Sequence, residues 1–206
     1  MNKKPLMKPF FLKFISMFSL LFILTTESFA QDAERDSIKD RDWRIEIEPA
    51  SFFLRGYNLQ VSRNLTKNNR LNVGLYTLAV DIPTGLKADM FNNVPDEADV
   101  RMGFELAVVA RYKLKLVEKE SNPYVGVIIG WEYFDISQDS LEDVRITTMV
   151  ATPYVGYELY FFKQMLYLNP QIRAVFYFAH KNDHPLRTEE MRTVFMLPVI
   201  ALGIRL

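Results

Sequence analysis

The sequence predicts an all-β chain: a closed antiparallel eight-stranded transmembrane β-barrel, preceded by a cleaved signal peptide. Three observations carry this. The mature region contains eight segments of alternating polarity. The two faces of those segments are exchanged relative to a soluble sheet. The N-terminus has the build of a secretory signal.

The N-terminus reads "MNKKPLMKPFFLKFISMFSLLFILTTESFAQ". Lys3, Lys4, Lys8 and Lys13 make a basic start, Phe14 to Leu24 an apolar run, and Ser28-Phe29-Ala30 a small-residue cleavage site. The run is too short to span a bilayer as a helix. Residues 1–30 are therefore expected to be a signal peptide, and 31–42, "QDAERDSIKDRD", a short charged periplasmic leader. The barrel is expected over 43–206.

Eight segments follow. They run over roughly 43–53, 57–66, 70–82, 100–117, 123–136, 144–161, 166–180 and 191–206. The seventh, "LYLNPQIRAVFYFAH", shows the pattern most clearly. Leu166, Leu168, Ile172, Phe176 and Phe178 line one face, and Tyr167, Asn169, Gln171 and Arg173 the other. The connections alternate between short ("KNN", "EKESN", "FKQ") and longer ("PTGLKADMFNNVPDEAD", "SQDSLED", "HKNDHPLRTEE"). No helical period of useful length is apparent in the mature region. Pro49, Pro153, Pro170 and Pro198 fall inside predicted strands, where a residue without an N–H implies bulges or local gaps.

A soluble sheet would carry Lys, Glu and Asp on its polar face. Here that face holds Gly, Asn, Gln, Tyr and isolated charges, while the other face has almost no charge. Lipid is the solvent that suits the apolar face. A sheet in lipid must close on itself to satisfy its backbone. Eight strands leave an interior that side chains just fill. Ile129, Trp131, Phe176, Phe178 and Leu202 are expected to face lipid. An aromatic content of 14%, with 16 Phe and 10 Tyr, suits a chain that meets a bilayer interface.

Parity sends Arg44, Glu46, Glu48, Glu105, Arg111, Glu132, Glu158, Arg173 and Arg205 inward, together with Arg101 and Lys113. Acids and bases nearly balance, which predicts a lumenal network of ion pairs, because an unpaired buried charge is costly. Closure places strand eight beside strand one, so Glu46 is expected to pair with Arg205.

Composition excludes other classes. Removing residues 1–30 leaves 21 basic and 24 acidic residues, which is not a nucleic-acid-binding balance. The chain has no cysteine, hence no disulfide or thiolate chemistry. His180 and His184 flank a loop, and no Ser or acid stands at a motif spacing from them, so neither a catalytic nor a metal site is assigned and no cofactor is expected. The loop acids Asp89, Asp96, Glu97, Asp99, Asp139, Glu142 and Asp143 read as a solvated rim.

With these features in place, the chain resembles the small eight-stranded outer-membrane β-barrel superfamily of the OmpA/OmpX type over about 43–206. The ending "VIALGIRL" is similar to the family's C-terminal assembly signal, with Leu206 where an aromatic residue is usual. The resemblance implies the outer membrane of a Gram-negative bacterium. The implied partners are outer-membrane lipid, lipopolysaccharide and the barrel-insertion machinery. The expected function is a non-enzymatic barrel of structural or surface-interaction type with a filled lumen. The alternative is an outer-leaflet lipid A-modifying enzyme of acyltransferase or deacylase type. In that case prolines would open the wall laterally, and Leu78, Val80, Ile128, Phe195 and Leu197 would line an acyl pocket.

Overall fold

A computed structural model describes residues 43–206 apart from 67–69, 115–122, 139–140, 163–164, 183–189 and 193. The expected signal peptide and leader lie outside the described residues, as does His184. Asp40–Leu206 forms one compact unit.

The strands are β1 (Trp43–Ile47), β2 (Tyr57–Asn64), β3 (Leu71–Asp81), β4 (Phe91–Asn92), β5 (Asp99–Lys113), β6 (Pro123–Gln138), β7 (Leu141–Tyr157), β8 (Leu159–Phe161), β9 (Leu166–Asn182), β10 (Glu190–Met191) and β11 (Val194–Arg205). Two short helices, α1 (Pro49–Phe53) and α2 (Thr84–Met90), fall where no helix is expected from the sequence. The main sheet runs β11-β1-β2-β3-β5-β6-β7-β9, and β9 pairs back onto β11, so eight strands form a ring. Every pairing around it is antiparallel. β8 continues β7 along β9, and β4 pairs with β10 in a small separate sheet.

The register fixes how the ring is wound. From Ile45 the cross-strand partners run Val61, Leu75, Val108, Ile129, Ala151, Phe176 and Val194. The β11 residue that faces Ile45 across the closing pair is Ile204, ten positions from Val194. This stagger is what tilts the strands of a closed sheet. All eight residues on that path are apolar and on the less buried face.

The period-2 alternation works because successive side chains point to opposite faces. Its phase slips at bulges. Between Met102 and Phe104 the β5–β6 register shifts. The parity above Gly103 is thereby reversed, so Met102 is buried inward and Arg101 points outward. The expectation that Arg101 faces inward is thus corrected. A second slip lies between Thr147 and Met149 of β7, opposite Ala179, whose φ is 51°.

The prolines obey one rule. Backbone N–H groups alternate sides along a strand. Leu206 and Trp43 exchange bonds across the β1–β11 seam, at 3.0 and 3.3 Å. By that parity the next positions whose N–H groups face the same seam are Pro49 above Ile47 and, beyond Ile200, Pro198 above Leu202. Neither proline has one. The β1–β11 ladder stops at the Ile47–Leu202 pair, and the chain turns into α1 with Pro49 in its first turn, where a missing N–H is tolerated. Pro49 is therefore a helix start, not a strand bulge. Pro153 faces β9 at a break in the β7–β9 pairing, between Ala151 and Tyr154. Pro170 faces the junction between β7 and β8. Each proline lacks a paired partner on one side while Pro153, Pro170 and Pro198 keep one on the other.

Gly56 closes the turn after α1. A Cβ there would lie 1.8 Å from the Ala79 carbonyl oxygen, so the backbones approach at a distance only glycine permits. Asp81 then donates to the Leu54 carbonyl at 2.8 Å, which docks the turn on β3.

Candidate functional site

The inside of the ring is tiered. Toward the α2 end it is aliphatic and aromatic. Val80, Ile82, Val100, Met102, Phe134, Ile136, Val144 and Ile146 pack with Met90 and Phe91 from the α2 segment and with Met191 of β10. Lys87 of α2 is buried and donates to the carbonyls of Asp96 (3.1 Å) and Ala98. Leu78, Val80 and Phe195 belong to this packed cluster, and Ile128 packs beside Tyr76, Tyr124 and Tyr154. These apolar inward side chains fill space against one another.

Toward the end where β1 starts and β11 finishes, the interior is charged. Glu158 is wholly buried and gathers three cations: Arg44, Arg111 (3.0 Å) and Lys113 (2.6 Å). The Tyr160 hydroxyl also donates to it and accepts from Lys113 at 2.9 Å. Arg111 is the bridge. It donates to both oxygens of Glu46, at 3.0 and 2.7 Å, and its guanidinium lies 4.4 Å over the Tyr124 ring. Glu46 also accepts from Gln60 and from Asn169 at 2.9 Å, and Tyr124 donates to Asn169. A second group joins Arg173 to Glu48 at 2.6 Å, with Tyr76 bonded to both and Gln171 accepting from Arg173. Such pairing and hydrogen bonding is what lets a buried charge persist.

The sequence-predicted inward set is therefore distributed as follows. Arg44, Glu46, Arg111 and Glu158 form one connected cluster, and Glu48 and Arg173 a second. Glu105 and Glu132 face each other on β5 and β6 between the charged and apolar tiers, and Glu132 bonds Tyr177. Arg205 does not meet Glu46. In the register it faces Arg44, while Glu46 faces Gly203, and the Arg205 guanidinium lies over the Tyr160 ring at 5.4 Å. The neutral partners Gln60, Tyr76, Tyr124, Asn169 and Gln171 are not singled out by sequence reasoning. The available signal is parity, since each shares the inward phase of its strand.

On the outward face, Ile129 (49% exposed), Trp131, Phe176, Phe178 and Leu202 are all solvent-accessible, in a band with Leu75, Leu106, Val108 and Val155. An apolar outside and a charged inside reverse the arrangement of a soluble sheet. Among the described residues no group of three His, Cys, Asp or Glu converges as a metal site would require. In the charged tier, cations and amides surround the carboxylates of Glu46, Glu48 and Glu158.

Two solved structures are similar in fold. The N-terminal β-barrel domain of Pseudomonas aeruginosa OprF matches with a TM-score of 0.50 and 13% identity, over 81% of this chain and 98% of that one. A major outer membrane protein from Thermus thermophilus matches with a TM-score of 0.50 and 12% identity, over 80% and 99%. The chain has the fold of the small outer-membrane β-barrels. No family model and no curated protein matches its sequence. At this identity the likeness is one of fold, which agrees with the fold the sequence resemblance implies.

Proposed function

We propose that this chain is an integral outer-membrane β-barrel of structural or surface-interaction type, with no catalytic role and an interior filled by side chains. The observation that carries this is the exchange of faces: an uninterrupted apolar band outside and hydrogen-bonded ion pairs inside. Water stabilises neither face in that arrangement, whereas a bilayer stabilises the first and a closed ring the second. The shared fold with two outer-membrane proteins supports the location. Removal of residues 1–30 on export and insertion by the barrel-assembly machinery belong to the same reading. Both termini then lie in the periplasm, because an even number of strands returns the chain to its starting side. The α2 segment and the β6–β7 and β9–β10 connections face outward from the cell.

The enzymatic alternative needs an acyl pocket lined by Leu78, Val80, Ile128, Phe195 and Leu197; the packing of the first four against inward neighbours supports the filled interior instead. The test is topological. A cysteine placed at Asn92 of β4 reacts with an impermeant thiol reagent on intact cells, and one at Asn68, in the β2–β3 connection, does not. Reversed labelling would overturn the orientation. Recovery of the protein in the soluble periplasmic fraction would overturn the membrane reading itself.

A further inference from the structure

Asp81, Arg101, Asp135 and Arg145 are consecutive register partners on four neighbouring strands. Asp81 faces Arg101, Arg101 faces Asp135, and Asp135 faces Arg145. All four point outward, because the residues flanking them along β5, β6 and β7, such as Val100, Phe134 and Val144, are buried inside. The result is one row of alternating charge across β3, β5, β6 and β7. Arg101 lies 3.5 Å from Asp81. Arg145 donates to both oxygens of Asp135, at 2.7 and 3.2 Å. Both guanidiniums stay more than half exposed, at 57% and 53%.

The chemistry changes abruptly below this row. The Arg145 guanidinium lies 4.4 Å over the Tyr133 ring, and the Trp131 ring is 5.9 Å from Tyr133. Next along the same outward face of β6 come Ile129, Val127 and Val125. Cations, then aromatic rings, then aliphatic side chains follow in order down one wall. A phospholipid has the matching order: phosphate, glycerol backbone and acyl chain.

We infer that this row is a docking surface for the phosphates of membrane lipids with a net-anionic headgroup, whose acyl chains lie down the wall over Tyr133 and Trp131. The inference rests on the membrane reading above. Arginine has five N–H donors in a planar fork, so a carboxylate on one edge still allows a phosphate on another. The aspartates hold the two guanidiniums at a common level and keep the row neutral overall, so it does not repel itself. Aromatic rings at this depth sit at the interface between headgroup and hydrocarbon, where their polar and apolar parts are both satisfied.

The two tryptophans provide the assay, because Trp131 is beside the row and Trp43 is at the other end of the ring. Trp43→Phe protein, which keeps Trp131, is reconstituted into vesicles mixing phosphatidylcholine with phosphatidylglycerol, one of the two brominated on its chains. Brominated phosphatidylglycerol is expected to quench Trp131 with a relative association constant about fivefold above that of phosphatidylcholine, the size of one Arg–phosphate contact near a surface. Arg101→Gln/Arg145→Gln brings the ratio to about one. Asp81→Asn/Asp135→Asn raises it, because the guanidiniums lose their competitors. Arg63→Gln/Trp131→Phe protein, which reports through Trp43 without the arginine that lies 5.5 Å over its ring, shows no such preference. The two arginines of the row are exposed and its two aspartates partly so, and retention of the strand circular-dichroism band checks folding. Equal quenching of Trp131 by the two lipids, or a ratio unmoved by the arginine changes, overturns the inference and leaves a self-neutralised surface ladder. Loss of the preference in millimolar inorganic phosphate overturns it in favour of a soluble anion site. If neither lipid quenches either tryptophan, the membrane reading fails and the inference falls with it.

Discussion

Arg111→Met is the sharpest perturbation of the interior. The side chain is fully buried and holds two carboxylates, Glu46 of β1 and Glu158 at the β7–β8 junction. Their situations after its loss differ. Glu158 keeps Arg44 and Lys113. Glu46 keeps only the neutral donors Gln60 and Asn169. The cost is therefore that of stranding one buried carboxylate, about 3–5 kcal/mol. Glu46→Gln alone leaves the guanidinium with Glu158 and should cost less. In the double variant no charge is stranded at this point, and the amide at position 46 can still bond Gln60 and Asn169. The double variant should thus recover about 1–3 kcal/mol relative to the sum of the singles. Urea unfolding of the protein in lipid vesicles, followed by tyrosine and tryptophan fluorescence, measures all three. Arg205→Met with Glu46→Gln is the control, and it should be additive because Arg205 stacks on Tyr160 and faces Arg44. Additive losses for Arg111 and Glu46, or coupling between Glu46 and Arg205, would refute the assignment of partners.

Other outcomes follow from single observations. Ile129→Arg places a charge on the outward band and should cost about 2–4 kcal/mol in bilayer unfolding. Folding yield equal to that of the native protein would mean the face is not in lipid. Gly56→Ala drives a methyl into the Ala79 carbonyl and should cost about 1–3 kcal/mol, measured by the urea midpoint. Gly85→Ala in α2 meets nothing within 4 Å and should be neutral or stabilising by up to about 1 kcal/mol. The two glycine results together test whether close approach, rather than glycine content, is what the fold requires.

The fold is legible because period-2 polarity is local: each strand carries its own phase, and eight phases of the same kind dictate a ring whose faces are exchanged. What escapes the sequence is the accumulation of small slips. One residue inserted at Gly103 reverses every assignment above it, so Arg101, predicted as a lumenal charge, is part of an outward row. The Glu46–Arg205 pairing fails for a similar reason. Membership of the interior follows from parity, but partnership depends on the stagger of the ring, which no single strand encodes. Arg111 reaches Glu46 across 65 residues of sequence, while Arg205, on the strand adjacent to Glu46, does not. The α1 helix is hidden because five residues present no helical period, although the proline that starts it is visible.

That proline belongs to a rule with its own test. Pro198 sits on β11 where the N–H would point across the seam toward Ser51 of α1. The Ser51 carbonyl already accepts from Leu54 (3.1 Å) and Gly56 (2.9 Å). Pro198→Ala would therefore create a donor with no free acceptor at an apolar edge, a loss of about 1–3 kcal/mol. Part of any proline-to-alanine loss is generic, since alanine gives the unfolded chain more freedom, at about 0.4–1 kcal/mol. Pro83→Ala measures that generic part, because Pro83 is exposed and stands at the N-cap of α2, outside any strand. The expected result is a loss for Pro198→Ala larger than for Pro83→Ala by at least about 1 kcal/mol in urea unfolding. It should be accompanied by faster amide hydrogen exchange at Ile200 and Leu202 as the seam loosens. Equal losses at the two sites would mean that the seam tolerates a donor there. The prolines would then mark the end of the ladder without causing it.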